Sequence, residues 1–493
     1  MPLFFPRAAV LLLIAPMLCA QRNVHTTRYE NVLGTSLELK LQTPTDTIAK
    51  RAESATLAEI DRENALLSAW QPNSEFSRWT RTHNTPVKVS PELLDVLSLF
   101  ESWRQQTHGA LDASAETAVR LWKQAEANHR QPTQEELAAA VRTMQQPHWS
   151  IDRAAGTATH LDSAPIALNS FAKSYIAGHA ANAALAAGAT GISLNLGGDI
   201  VLRGTLSERV AIANPHADAE NDTPIDLILL TNRTIATSGA YRRGVDIHGQ
   251  HFSHIVDPRT ALPAESILSS TVIAPDPGEA GALATAFSVM SPAETKSLAA
   301  RLRNVDYLLI TASGETIASP NWSRRELPHI QPAAFHPPAR PKFDLVITLE
   351  LARIDAARYH RPYVAVWVED ANHQTVKTVA LWSQKPRWLD DLRNWYHDDQ
   401  ARVSAGKPAL ADTVSSATRP PGKYTLRWDG TDDAGKSLPP GPYTILIEAA
   451  RDHGTYQLMK QEIDFNGRTP RQVTLPENTE IAGATLDYGS HEQ

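Results

Sequence analysis

Cysteine is almost absent: the sequence holds one, Cys19, near its N-terminus. A chain with a single cysteine has no disulfide framework, so its core must hold the fold unaided. No apolar run reaches the roughly 20 residues a bilayer-crossing helix needs. The longest, Ala8 to Leu18, follows Arg7 and ends near the small residue Ala20, the pattern of a secretory signal. Pro16 argues against a buried first helix there. A cut after Ala20 removes Cys19, and a lipid anchor on that cysteine is disfavoured because Pro16-Met17-Leu18 lacks the small residue expected before it. We therefore read residues 1–20 as a signal peptide and the mature chain as periplasmic. Basic blocks are missing too: 47 Lys and Arg stand against 54 Asp and Glu, a net charge of -7, which makes nucleic acid an unlikely partner. The common catalytic signatures G-x-S-x-G, the phosphate loop, HExxH and the Rossmann fingerprint are all absent, which removes serine-hydrolase, P-loop and zincin readings.

What is present falls into two textures. Residues 28–320 mix alanine-rich helical stretches, such as Gln134 to Arg142, with short β-branched runs, and read as α/β or α+β. Prolines at 328, 332, 337, 338 and 341 mark a stiff linker over 321–341. From Phe343 the pattern becomes strands separated by Gly, Pro and Asp turns, which predicts an all-β, immunoglobulin-like sandwich over 342–470 with a tail at 471–493. Five of the 11 tryptophans fall there, most simply as core.

Within the first part, short motifs fall on turns, where rigid scaffolds carry binding groups. They are Leu33-Gly34-Thr35, Gly109-Ala-Leu-Asp112, Asn169-Ser-Phe-Ala-Lys-Ser174, Leu194-Asn-Leu-Gly-Gly-Asp199, Ala236-Thr-Ser-Gly-Ala-Tyr241, Phe252-Ser-His-Ile-Val-Asp-Pro258 and Glu279-Ala-Gly-Ala-Leu-Ala-Thr285. Taken alone, His254 reads as a satisfied structural histidine, Gly197 and Gly198 as a tight turn, and Thr285 as a helix residue bonded to its own backbone.

Together and in order, these motifs resemble those of the ApbE flavin transferases, which move FMN from FAD onto a threonine or serine of another protein. The resemblance implies an ApbE-like α+β domain over 28–320, FAD as substrate and Mg²⁺ as cofactor. Leu33, Trp70, Ala110, Leu111, Asp112, Lys173, Gly197, Gly198, Asp199 and Ile255 match FAD-binding positions, and His254 and Lys173 match catalytic ones. Ser170, through its carbonyl, and Thr285 match metal ligands. The family's metal-binding aspartate is Gly281 here, and the nearest carboxylates before it are Asp276 and Glu279. Ala167, Asn169, Ser174 and Ala261 also depart from the family pattern in the same region. The implied acceptors are periplasmic redox proteins, in association with a membrane redox system, or the chain's own second domain. Asp412-Thr-Val-Ser-Ser-Ala-Thr418 resembles the segment in which electron-transfer proteins carry FMN, with Thr418 as the acceptor. Two other functions remain open at this level: a FAD-binding protein that has lost its chemistry, and a flavinylated electron carrier.

Overall fold

The computed structural model describes residues 23–493 except 217–218, 220, 223, 241–242, 325–342, 355–359, 384–385, 405–409, 411–414, 417, 452–453 and 492–493. Residues 1–20, expected from the sequence to be a signal peptide, and most of the proline-rich linker lie outside the described residues.

The first domain is built on an eight-stranded sheet in the order Asn23–Val32, Thr35–Thr43, Gly191–Leu196, Asp199–Gly204, Thr234–Gly239, Ile267–Ala274, Asp306–Thr311 and Thr316–Ala318. Every neighbouring pair is antiparallel, which makes the domain α+β. Alternation decides the faces: Leu37, Leu39 and Leu41 are buried while their neighbours are half-buried. One face carries the helices. The Asp46–Leu67 helix starts at Thr45, whose side chain accepts from the Ile48 amide. The Ala172–Ala186 and Pro277–Val289 helices are apolar around most of their circumference, as helices enclosed on several sides must be. Small residues let these two approach closely: a Cβ on Gly178 would stand 2.7 Å from Pro277 Cγ. The opposite face is covered by the Ser207–Ile212 and Asp226–Thr231 hairpin and by Trp322. Trp322 is buried and donates to Asp226 at 2.6 Å, so the first domain extends past residue 320.

The second domain is a sandwich of two sheets. One has the order Gly422–Trp428, Asp344–Leu351, Ile481–Gly489, Arg471–Leu475. The other has the order Ser415–Ser416, Thr375–Trp382, Tyr363–Glu369, Gly441–Ala450, Tyr456–Phe465. The domain is mainly β, as expected, and one boundary is corrected. Residues 471–489 are no tail: Ile481–Gly489 pairs along the whole of Asp344–Leu351 and lies between two strands. The domain also contains a helix, Arg393–Ser404, laid on the outer face of the second sheet. It explains why every residue of Tyr363–Glu369 is buried, since one face of that strand meets the facing sheet and the other meets the helix. Trp395 anchors the helix, 1% exposed, with its indole N–H donating to Thr378 Oγ1 at 3.1 Å.

Two polar clamps join the domains. Arg361 pairs with Glu30 at 2.6 Å and reaches Asn31 at 3.3 Å. The Asn221 side chain exchanges two hydrogen bonds with the Arg427 backbone, at 2.7 and 2.8 Å, while the Arg427 guanidinium lies between Asp222 and Asp344. Asn221 thereby satisfies backbone groups on an edge strand.

Truncating the helix anchor tests this packing. Trp395→Ala is expected to lower the stability of the second domain by about 3–5 kcal/mol, read by chemical denaturation. A change below 1 kcal/mol, on the order of a surface substitution, would show that the helix does not close that face.

Candidate active site

Where the two close helices meet the turns at one end of the sheet, a cavity of about 760 Å³ opens. Its size suits a cofactor-sized ligand. Four chain segments form the floor. The turn between Gly191–Leu196 and Asp199–Gly204 places Gly197 and Asp199, and a Cβ on Gly197, whose φ is +66°, would strike Thr35 Oγ1 at 2.4 Å. Only glycine fits that contact. The start of the Ala172–Ala186 helix brings Ser170, Lys173 and Ser174, and the Pro277–Val289 helix brings Gly281 and Thr285. The end of Thr234–Gly239 adds Thr237 and Ser238.

These segments meet in a cluster of oxygen atoms. Thr285 Oγ1 donates to the Ser170 carbonyl at 3.2 Å and lies 3.4 Å from Ser238 Oγ. Ser174, 1% exposed, donates to Asp199 Oδ2 at 2.6 Å. Desolvation holds the Asp199 carboxyl above its usual range, against the opposing effects of the Ser174 hydrogen bond and the Lys173 charge. Lys173 is pushed below its usual range by desolvation first and by Arg243 second. An anionic ligand would relieve both cations.

His254 also lines the cavity and is exposed there. Its Nδ1 lies 3.0 Å from the Arg243 carbonyl, and since a carbonyl only accepts, Nδ1 carries the proton and Nε2 keeps its lone pair. Partial desolvation, with the charges of Arg243, His251 and Lys123 adding to it, holds the imidazole below its usual range. A neutral ring with a free Nε2 is suited to accept a proton at neutral pH.

Most of the residues expected from sequence are brought together. Trp70, Ala110, Leu111, Asp112, Ser170, Lys173, Gly197, Asp199, His254, Ile255 and Thr285 all border the cavity. Trp70 is 79% exposed, a large aromatic face held at the rim. The carboxylate of Asp112 is already engaged, by Ser114 at 2.8 and 2.7 Å and by Arg104 at 2.8 Å, so it shapes the wall. Leu33 and Gly198 are not among the lining residues. Leu33, at φ +50°, forms the hairpin turn with Gly34, and the Gly198 amide donates to Asn195. Asp276 and Glu279 do not border the cavity either: Asp276 caps its helix by accepting from the Glu279 amide at 2.8 Å, and burial together with that neighbouring charge pushes the Glu279 carboxyl up to about 7. Thr418 lies elsewhere, 2% exposed and beside Glu30 at the domain junction. In this arrangement its hydroxyl does not face the cavity. Sequence reasoning missed Arg243, Thr237 and Ser238 as lining residues. Thr237 and Ser238 sit inside a motif already singled out, whereas nothing near Arg243 in the sequence marks it.

Comparison with known proteins identifies the family and the fold. Residues 33–309 match the ApbE family, and residues 344–483 match the family described as Predicted periplasmic protein (DUF2271). The relatives include proteins named FAD:protein FMN transferase. That of Klebsiella pneumoniae is 28% identical over 281 residues, covering 54% of this chain and 79% of the relative. That of Haemophilus influenzae is 29% identical, over 50% and 75%. Among solved structures, the ApbE protein of Thermotoga maritima superposes with a TM-score of 0.56 at 24% identity, covering 62% of this chain and all of that one. The flavinyl transferase ApbE of Pseudomonas stutzeri gives 0.52 at 19%, over 62% and 99%. The fold and the cavity thus define an ApbE-type α+β domain. The chain belongs to the ApbE family, with a second, mainly β domain fused behind it.

The tautomer and the partial desolvation of the ring make a direct prediction. In a nitrogen-resolved NMR titration, His254 should carry its proton on Nδ1 and titrate below pH 6.5, its ordinary value. An Nε2-protonated ring, or a midpoint above 6.5, would contradict the geometry.

Proposed function

We propose that this chain is an exported FAD:protein FMN transferase, acting with Mg²⁺ on a threonine or serine of periplasmic redox proteins that serve a membrane redox system. The observation that carries the reading is the arrangement, within one cavity, of the Ser170 and Thr285 oxygens, the Lys173 cation and a His254 ring whose Nε2 is free.

The chemistry is a displacement at phosphorus. The acceptor hydroxyl bonds to the phosphorus of the FMN half, the bond to the bridging oxygen breaks, and AMP leaves. The hydroxyl proton passes to His254 Nε2, held in position by the Arg243 carbonyl. Lys173 meets a phosphate oxygen, and Trp70 supports an aromatic ring of FAD at the rim. The donor atoms fit the cofactor: Ser170 O, Thr285 Oγ1 and the hydroxyls of Ser174 and Ser238 are hard oxygens of the kind magnesium prefers. When bound, Mg²⁺ would offset charge on the pyrophosphate. The description of residues 344–483 as a predicted periplasmic domain supports the location, as does the signal-like N-terminus. Modification of Thr418 would require that residue to leave its buried place beside Glu30, so acceptors on other proteins are favoured.

The test is to incubate the mature protein with FAD, Mg²⁺ and a periplasmic protein fraction. AMP release should be accompanied by flavin fluorescence that stays on an acceptor band after denaturation, while the intact mass of the chain itself is unchanged. His254→Asn should slow AMP release about 100-fold or more. Absence of both AMP and a covalently labelled band would reject the activity. A mass gain on the chain that Thr418→Ala abolishes would instead make the second domain the acceptor.

A further inference from the structure

The family's metal-binding aspartate is replaced by Gly281, yet the place of its side chain is filled. A Cβ built on Gly281 would stand 2.6 Å from Ser174 Oγ and 3.2 Å from Phe171 Cβ. Ser174 Oγ therefore sits within the reach an aspartate oxygen would have from position 281. The hydroxyl is nearly inaccessible at 1% exposure, and it has one hydrogen-bond acceptor, Asp199 Oδ2 at 2.6 Å. With its proton held by Asp199, the lone pairs of Ser174 Oγ are left for the cavity, which both residues line together with Thr285 and Ser170. Both positions differ from the pattern of the resemblance. Position 174, where the family resemblance has glycine, gained an oxygen, and position 281 lost one.

We propose that Ser174 Oγ, backed by the carboxylate of Asp199, holds the divalent cation in this chain in place of the missing aspartate at 281, together with the Ser170 carbonyl and Thr285 Oγ1. The inference rests on the transferase reading for the identity of the cation. Ser174 is the ligand, and Asp199 is a positioning residue that supplies negative charge one hydrogen bond behind it, as outer-shell carboxylates do elsewhere. Lys173 faces the same carboxylate and is the competing cation in the apo protein. One consequence concerns repair by a single change. Gly281→Asp alone places its Cβ against Ser174 Oγ and Phe171, so it should disrupt the cavity. Ser174→Gly together with Gly281→Asp frees that space and moves the oxygen back to the helix that carries it in the family.

The measurement is Mn²⁺ binding to the full mature protein with FAD present, followed by electron paramagnetic resonance, with FAD affinity and thermal melting recorded in parallel. No turnover is required. Ser174→Ala and Asp199→Asn should each weaken Mn²⁺ binding by about 10-fold or more. The Ser174→Gly/Gly281→Asp pair should bind close to the wild-type affinity, and adding Asp199→Asn to that pair should have little further effect. Unchanged Mn²⁺ affinity in Ser174→Ala overturns the proposal, as does a wild type that binds no Mn²⁺ or a double exchange no better than Ser174→Gly alone. If Asp199→Asn fails to fold, Ser174→Ala decides alone, since it removes one oxygen and adds no bulk. If Ser174→Ala loses Mn²⁺ while the wild type transfers no FMN to any acceptor, the cation site stands and the transferase reading falls.

Discussion

The close approach of two small-residue helices is the constraint on which the site depends. Ala172–Ala186 and Pro277–Val289 meet where Gly178 lies under Pro277, a separation that no larger side chain at 178 permits without movement. That distance sets Ser174 against Gly281 and Ser170 against Thr285, so the oxygen cluster is a product of helix packing. Interiors packed this tightly change one residue at a time only at a cost, so substitutions at 174 and 281 are expected to be energetically coupled.

The remaining site features come from turns at the strand ends. Gly197 adopts a left-handed conformation pressed against Thr35, and two residues on, Asp199 opens the next strand. His254 takes its orientation from a main-chain carbonyl, so its tautomer does not depend on another titrating group. Ala261 shows what the scaffold tolerates: it sits at φ +60°, fully buried, where the family has glycine, and its carbonyl accepts from the Trp122 indole at 2.9 Å. Left-handed backbone at a residue with a Cβ costs roughly 1–2 kcal/mol, which the enclosing cluster around Trp122 must offset.

Much of this was legible in the sequence, and the limits were physical. Motifs on turns could be read because glycine, aspartate and threonine there answer to local backbone demands. Eleven of the expected residues converge on the cavity for that reason. Contacts made across the fold left no local trace. Arg243 enters through its place beside His254, and the Asp199–Ser174 hydrogen bond joins residues 25 apart. The two-domain division was evident from the prolines between 328 and 341. Yet Arg471-Gln-Val-Thr-Leu475 alternates polar and apolar residues too briefly to declare a strand, and the helix at 393–404 is polar enough to pass for a loop. Nor does the short polar composition around Thr418 reveal that the threonine is enclosed at the domain junction.

The Asn221 contact with Gly422–Trp428 has a meaning for how the chain can be divided. That strand is the outer member of its sheet, and the first domain supplies partners for the Arg427 amide and carbonyl. A fragment beginning at Phe343 would leave those groups facing water along a strand otherwise ready to pair. Such a rim is a template for self-association. Through Asn221 the first domain covers part of that rim, so cutting the chain at the linker would uncover an edge that the intact chain keeps paired.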